Sequence, residues 1–94
     1  MHSAERTFGP NPDVVARRLG EETVLVNLRT NRIFQLNRTG AAFWELVEEG
    51  CERAEIEERL ASRFAVDQAV LSSNLDALVA ELDQAGLLQG DALA

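Results

Sequence analysis

The groups able to do chemistry in this sequence are few. His2 is the only histidine and Cys51 the only cysteine. A thiolate nucleophile needs a base beside it, and no histidine lies near Cys51 in the sequence. There is no tyrosine. No stretch has the spacing of a phosphate-binding loop, a dinucleotide fingerprint, a zinc knuckle or a nucleophile elbow. Sixteen carboxylates remain. Paired carboxylates can do acid–base work, but Glu55, Glu57 and Glu58 fall beside Arg59 and Arg63 in the pattern of a solvated helix face. These residues predict a non-catalytic protein with no cofactor and no metal site. A single cysteine also excludes an internal disulfide framework.

Charge narrows the partners. Nine basic residues, all arginine, face sixteen acidic ones, for a formal net charge of −7. The last cation is Arg63, so residues 64–94 carry none. Nucleic-acid affinity comes largely from cations on phosphates, so nucleic acid is not expected as a partner. An acidic surface steers basic partners instead. No apolar run approaches the roughly 20 residues of a membrane helix, and the start does not read as a signal peptide. No membrane contact is expected, and the expected compartment is the cytoplasm.

The elements that must position any site follow from local pattern. Ninety-four residues make one domain with one modest core. Residues 1–12, with Gly9, Pro10 and Pro12 as breakers, read as a flexible N-terminal segment. The domain spans 13–89, and 90–94 is a flexible tail. Residues 14–19 read as a strand, 23–28 as a second rich in β-branched residues, and 32–36 as a third. Asn31 in the turn suits a left-handed backbone. Asn37 caps a first helix carrying Ala42, Phe43, Leu46 and Val47 at helical spacing, with Trp44 on its flank, and Gly50 ends it. A second helix, about 53–64, lines up Ile56, Leu60 and Phe64. Asp67 caps a third, about 68–85, whose core seam is Leu71, Leu75, Leu78 and Leu82. Gly86 ends it, and Leu87 and Leu88 fold back on its last turn.

Three strands followed by three helices is an α+β arrangement. The expected architecture is winged-helix-like: a three-stranded antiparallel sheet with a three-helix bundle on one face. Such a meander leaves two open edges of unpaired N–H and C=O groups, which proteins either block or use. The edge strand 32–36 has no proline and one charge, so it can be used. Cys51 reads as a turn residue, and Trp44 as a core anchor or a docking surface.

The order and spacing of several segments resemble the PqqD-like family. They are Val24-Leu25-Val26-Asn27-Leu28-Arg29-Thr30-Asn31-Arg32-Ile33-Phe34, then Leu36-Asn37-x-x-Gly40, then Phe43-Trp44-x-Leu46. Ile56, Leu60 and Phe64, Asp67, the leucine-rich third helix and Ala85-Gly86-Leu87-Leu88 continue it over about residues 13–88. The resemblance implies a winged-helix-like module that binds the leader of a ribosomally made precursor peptide by strand addition, in a cleft between the third strand and the third helix. The hairpin and first helix look most like the stand-alone leader-binding subunit of a split lasso-peptide leader peptidase. Its implied partners are a transglutaminase-like cysteine peptidase and an ATP-dependent cyclase. The version serving a radical enzyme in pyrroloquinoline quinone synthesis is the close relative. A winged-helix DNA binder is the third reading, opposed by Asp76, Glu81 and Asp83 on a third helix without a cation. Two positions depart from the pattern: Asn31 replaces a commoner Gly, and Cys51-Glu52 stand where a Ser or Thr cap is expected.

The candidate peptide-binding residues are Arg32, Ile33, Phe34, Gln35 and Leu36 on the strand, and Val70, Leu71, Asn74, Ala77, Leu78 and Glu81 on the helix. Phe34 and Leu36 share one strand face and are also core candidates; Ile33 faces the other way. Val70, Asn74, Ala77 and Glu81 form one helical stripe, with Val79 on the opposite flank. Either Ile33 and Gln35 or Phe34 and Leu36 turn their backbone N–H groups to the ligand. The same open edge strand allows an edge-strand homodimer.

Overall fold

The computed structural model describes the backbone of residues 8–90 and the side chains of residues 9–88. Eight elements follow in order: β1 (Phe8–Pro10), β2 (Val14–Leu19), β3 (Glu22–Asn27), β4 (Arg32–Leu36), α1 (Arg38–Glu48), α2 (Arg53–Phe64), α3 (Gln68–Gln84) and β5 (Leu88–Gly90). β2, β3 and β4 form the antiparallel meander expected from the sequence. Its first turn is Gly20-Glu21, with Gly20 at φ +66, the glycine position of a type II′ hairpin. Its second is the loop 28–31, where Asn31 takes φ +63.

The N-terminal segment expected to be loose carries structure. Residues 8–10 form β1, which pairs antiparallel with β5, Phe8 opposite Gly90 and Pro10 opposite Leu88. Asn11 fixes the exit, its N–H donating to the Leu87 carbonyl at 3.1 Å. Gly90, expected in the flexible tail, belongs to β5. The rest of both expected flexible ends, residues 1–7 and 91–94, lies outside the described residues.

Caps set the helix ends. The Asn37 side chain accepts from the Gly40 N–H, and the Asp67 side chain from the Ala69 N–H. Glu52 holds the N-cap of α2 without a side-chain capping bond. Arg53 fastens that end instead. Its guanidinium meets Glu57 at 2.7 Å, the Ser72 carbonyl at 3.0 Å and Asp76 at 2.8 Å, tying α2 to α3.

The helices cover one face of the sheet. Thr23, Leu25 and Asn27 alternate inward on β3 and are buried. Leu25 and Leu36 meet Phe43, Trp44 and Val47 of α1, Ile56 and Leu60 of α2, and Leu71, Leu75 and Leu82 of α3 in one core. Leu87 and Leu88 close it from below α3, the Leu87 N–H donating to the Leu82 carbonyl at 2.8 Å. Trp44 is buried, and its indole N–H donates to Glu48 at 2.9 Å. Phe64 is only half-buried, under the guanidinium groups of Arg38 and Arg63.

Cys51 is not a surface turn residue. Its N–H donates to the Leu46 carbonyl at 3.1 Å, a bond that turns the chain inward after α1, and its side chain joins the core. Burial raises the thiol pKa above its ordinary value; Glu55 and Glu49 add to that, and Arg59 opposes it.

Candidate functional site

The ladder decides which backbone groups β4 leaves open. In an antiparallel strand the N–H and C=O of one residue point the same way and successive residues alternate. The Leu28 N–H donates to the Asp13 carbonyl at 2.8 Å, on the β2 side. Even-numbered residues of β3 therefore bond to β2, and Thr23, Leu25 and Asn27 bond to β4. Their partners are Leu36, Phe34 and Arg32. Ile33 and Gln35 are left with donors and acceptors facing the open edge. The Asn27 carbonyl agrees: it takes the Asn31 N–H at 2.7 Å on the β4 side.

Beside that edge runs a cleft of about 400 Å³ between β4 and α3. Its apolar lining is Phe34 and Leu36 from the strand and Leu71, Leu75 and Leu78 from the helix. Gln35, Asn37, Thr39 and Asn74 are its neutral polar groups, Gly40 leaves room at one end, and Glu81 stands at the other. A second chamber of about 220 Å³ continues past Glu81 between Arg32, Ile33 and Phe34 on one side and Gln84 and Ala85 on the other. The two share Phe34 and Glu81.

The structure brings together most of the residues expected at this site. Phe34, Gln35, Leu36, Leu71, Asn74, Leu78 and Glu81 line the main chamber, and Arg32 and Ile33 the second. Gln35 contributes from the edge while its side-chain amide bonds to Glu22 at 2.8 Å. Ile33 is 70% exposed, its side chain on the sheet face away from the helices. Val70 and Ala77 line neither chamber and point to solvent. Leu75, expected only in the core seam, lines the main chamber as well, and Leu78, expected both in that seam and at the site, is half-buried there. Val79, on the opposite flank, packs against the core. Asn37, Thr39 and Gly40 lie outside the expected set; a helix N-terminus abutting the strand end is the feature that places them.

Such a site has the parts of a strand acceptor. Two residues offer backbone pairs, and a greasy trough receives alternate side chains. Among the described residues Glu81 is the only ionisable lining group of the main chamber. Among the described residues no three His, Cys, Asp or Glu side chains gather where a metal ion would be held, and no helix is long and apolar enough to cross a membrane.

Comparison with known proteins shows the family and the fold. No curated protein sequence matches. Among solved structures the chain is similar to TbiB1, determined in complex with the TbiA(β) leader peptide. The two share 29% identity with a TM-score of 0.83, over 88% of this chain and 96% of TbiB1. The family model described as coenzyme PQQ synthesis protein D matches residues 22–88. That span runs from β3 through α3 and takes in both walls of the cleft: the chain belongs to the PqqD family.

Proposed function

We propose that this protein is a non-catalytic leader-peptide binder. It captures a ribosomally made precursor by pairing the leader with the open edge of β4, and it presents that precursor to a separate leader peptidase in lasso-peptide biosynthesis. The carrying observation is the pairing of an open edge at Ile33 and Gln35 with an apolar trough alongside it. The fold shared with TbiB1, which was solved with a leader peptide, supports it. The leader runs antiparallel to β4, in keeping with the rest of the sheet and with the better bond geometry of antiparallel pairs.

In this reading the binding residues are Arg32, Ile33, Phe34, Gln35, Leu36, Leu71, Asn74, Leu78 and Glu81, joined by Asn37, Thr39, Gly40 and Leu75. The enzymatic partners are a transglutaminase-like cysteine peptidase and an ATP-dependent cyclase in the cytoplasm. The protein raises the peptidase rate by raising the effective concentration of the tethered leader. The family model favours a second reading, delivery of a precursor to a radical enzyme in cofactor synthesis.

The test is a binding titration with leader peptides of precursors encoded beside this gene, followed by precursor cleavage by the neighbouring peptidase with and without this protein. Binding with faster cleavage supports the first reading. Binding with equal cleavage rates removes the peptidase role, and no binding to any leader removes the function.

A further inference from the structure

Among the described residues Glu81 is the one ionisable group lining the main chamber, among apolar and neutral neighbours. It is exposed, and no ion pair engages it among the described residues. Arg32 shares only the second chamber with it and makes no ion pair there. Its place on the helix is unfavourable. It stands in the last turn of α3, where carbonyl ends gather negative charge, and no basic residue occupies that turn.

We propose that Glu81 selects a basic side chain on the captured peptide, at a fixed spacing from two apolar ones. This rests on the strand-addition reading above. An α-helix rises about 1.5 Å per residue, so Glu81 lies about 12 Å along α3 from the midpoint of Leu71 and Leu75. A strand advances about 3.4 Å per residue and returns to the same face every second residue, so four residues, about 14 Å, span that distance. The first inward side chain meets Leu36, Leu71 and Leu75. The second meets Phe34 and Leu78, and the third reaches Glu81. An antiparallel peptide has its C-terminal end beside Arg32 and Glu81. The recognised pattern, read from N to C terminus, is apolar-x-apolar-x-Lys/Arg.

The experiment pans phage-displayed random 12-residue peptides against the full chain, its Glu81→Gln variant and its Glu81→Arg variant. The wild type enriches two apolar residues at alternate positions with Lys or Arg two positions beyond. Glu81→Gln keeps the apolar pair and loses the basic preference, and Glu81→Arg turns it acidic. For a selected peptide, Lys→Ala lowers wild-type affinity by about 1.5- to 5-fold, the range of an exposed ion pair, and leaves Glu81→Gln affinity unchanged. The same charge preference in all three proteins, or an apolar pair with none, overturns the role of Glu81 alone. Failure of every variant to enrich alternating apolar residues overturns the strand-addition reading and this one with it.

Discussion

The side-chain amide of Asn27 donates to the carbonyl of Gly86 at 2.8 Å, joining the end of β3 to the end of α3. Its oxygen takes the backbone N–H groups of Arg29 and Thr30, at 2.9 and 3.2 Å, so one buried residue also shapes the hairpin loop. Asn11 adds a second donor to the same carbonyl, at 3.0 Å. Gly86 sits at φ +74, and a Cβ there would lie 3.3 Å from the Asn27 nitrogen. The sheet is thus fastened to the end of α3 through Asn27, the register partner of Arg32 on β4.

Loosening that fastening will cost stability and peptide affinity together. Asn27→Ala leaves the Gly86 carbonyl one donor short and the loop N–H groups without their acceptor, a loss of about 1–3 kcal/mol. Gly86→Ala forces a side chain into a left-handed backbone, at about 1–2 kcal/mol. Urea unfolding measures both. Midpoints equal to wild type would show that the contact carries no weight.

Proline separates the two sides of β4. At Gln35 it removes an outward donor and spares the bonds to β3, so the protein folds and loses peptide affinity by about tenfold, roughly one hydrogen bond to the ligand. At Phe34 it removes a donor to Leu25 and unfolds or strongly destabilises the sheet. Circular dichroism with a binding titration distinguishes them; the reverse outcome would invert the assignment of the edge.

On α3, trough and core separate residue by residue. Leu75 is 2% exposed, and Leu75→Asp buries an unpaired carboxylate. That costs several kcal/mol from a total of about 5–15 and unfolds the domain. Leu78→Ala keeps the fold and weakens peptide binding by about 1–2 kcal/mol, the scale of a lost apolar contact. Val70→Asp leaves both unchanged, because Val70 lines neither chamber. Weaker binding by folded Val70→Asp would place the peptide one stripe over.

The Cys51 thiol titrates above its ordinary value of 9.0 because burial disfavours the thiolate. Below that value both folded and unfolded chains hold the proton, and the full contribution is present. As pH rises through it the unfolded chain ionises first, so stability falls until the folded thiol ionises too. Cys51→Ala flattens that alkaline loss, read as the difference in urea midpoints between pH 8 and 10. Iodoacetamide should modify native Cys51 more slowly than the urea-unfolded chain at pH 8.

Local chemistry made much of this molecule readable from sequence. Asn31, Asn37 and Asp67 each do in the fold what their side chains favour, and period-two alternation placed β4 at its observed bounds. What escaped depends on distant partners. β1 and β5 are three residues each, too short to show a period, and they pair across nearly the whole chain. The leucine spacing alone does not show that Val70 and Ala77 lie outside the cleft, because packing of α3 against α2 and β5 decides which flank opens. Cys51 looked like a turn residue because its place in the core depends on side chains from other elements. The outward parity of Ile33 and Gln35 follows from hydrogen-bond direction, which side-chain pattern does not encode.

The alternation along the meander also governs stoichiometry. A sheet of three strands has two edges, and a sheet of four has two as well. A peptide that occupies Ile33 and Gln35 covers them and presents its own far side in their place. Such a complex ends on a row of ligand backbone groups at one side and on Ala16 and Arg18 of β2 at the other, the Val14 N–H being taken by the Asn11 carbonyl. Whether assembly stops at one peptide per protein is decided by the outward residues of the peptide. A proline or a charge there terminates the sheet, and a smooth β-branched run invites another strand.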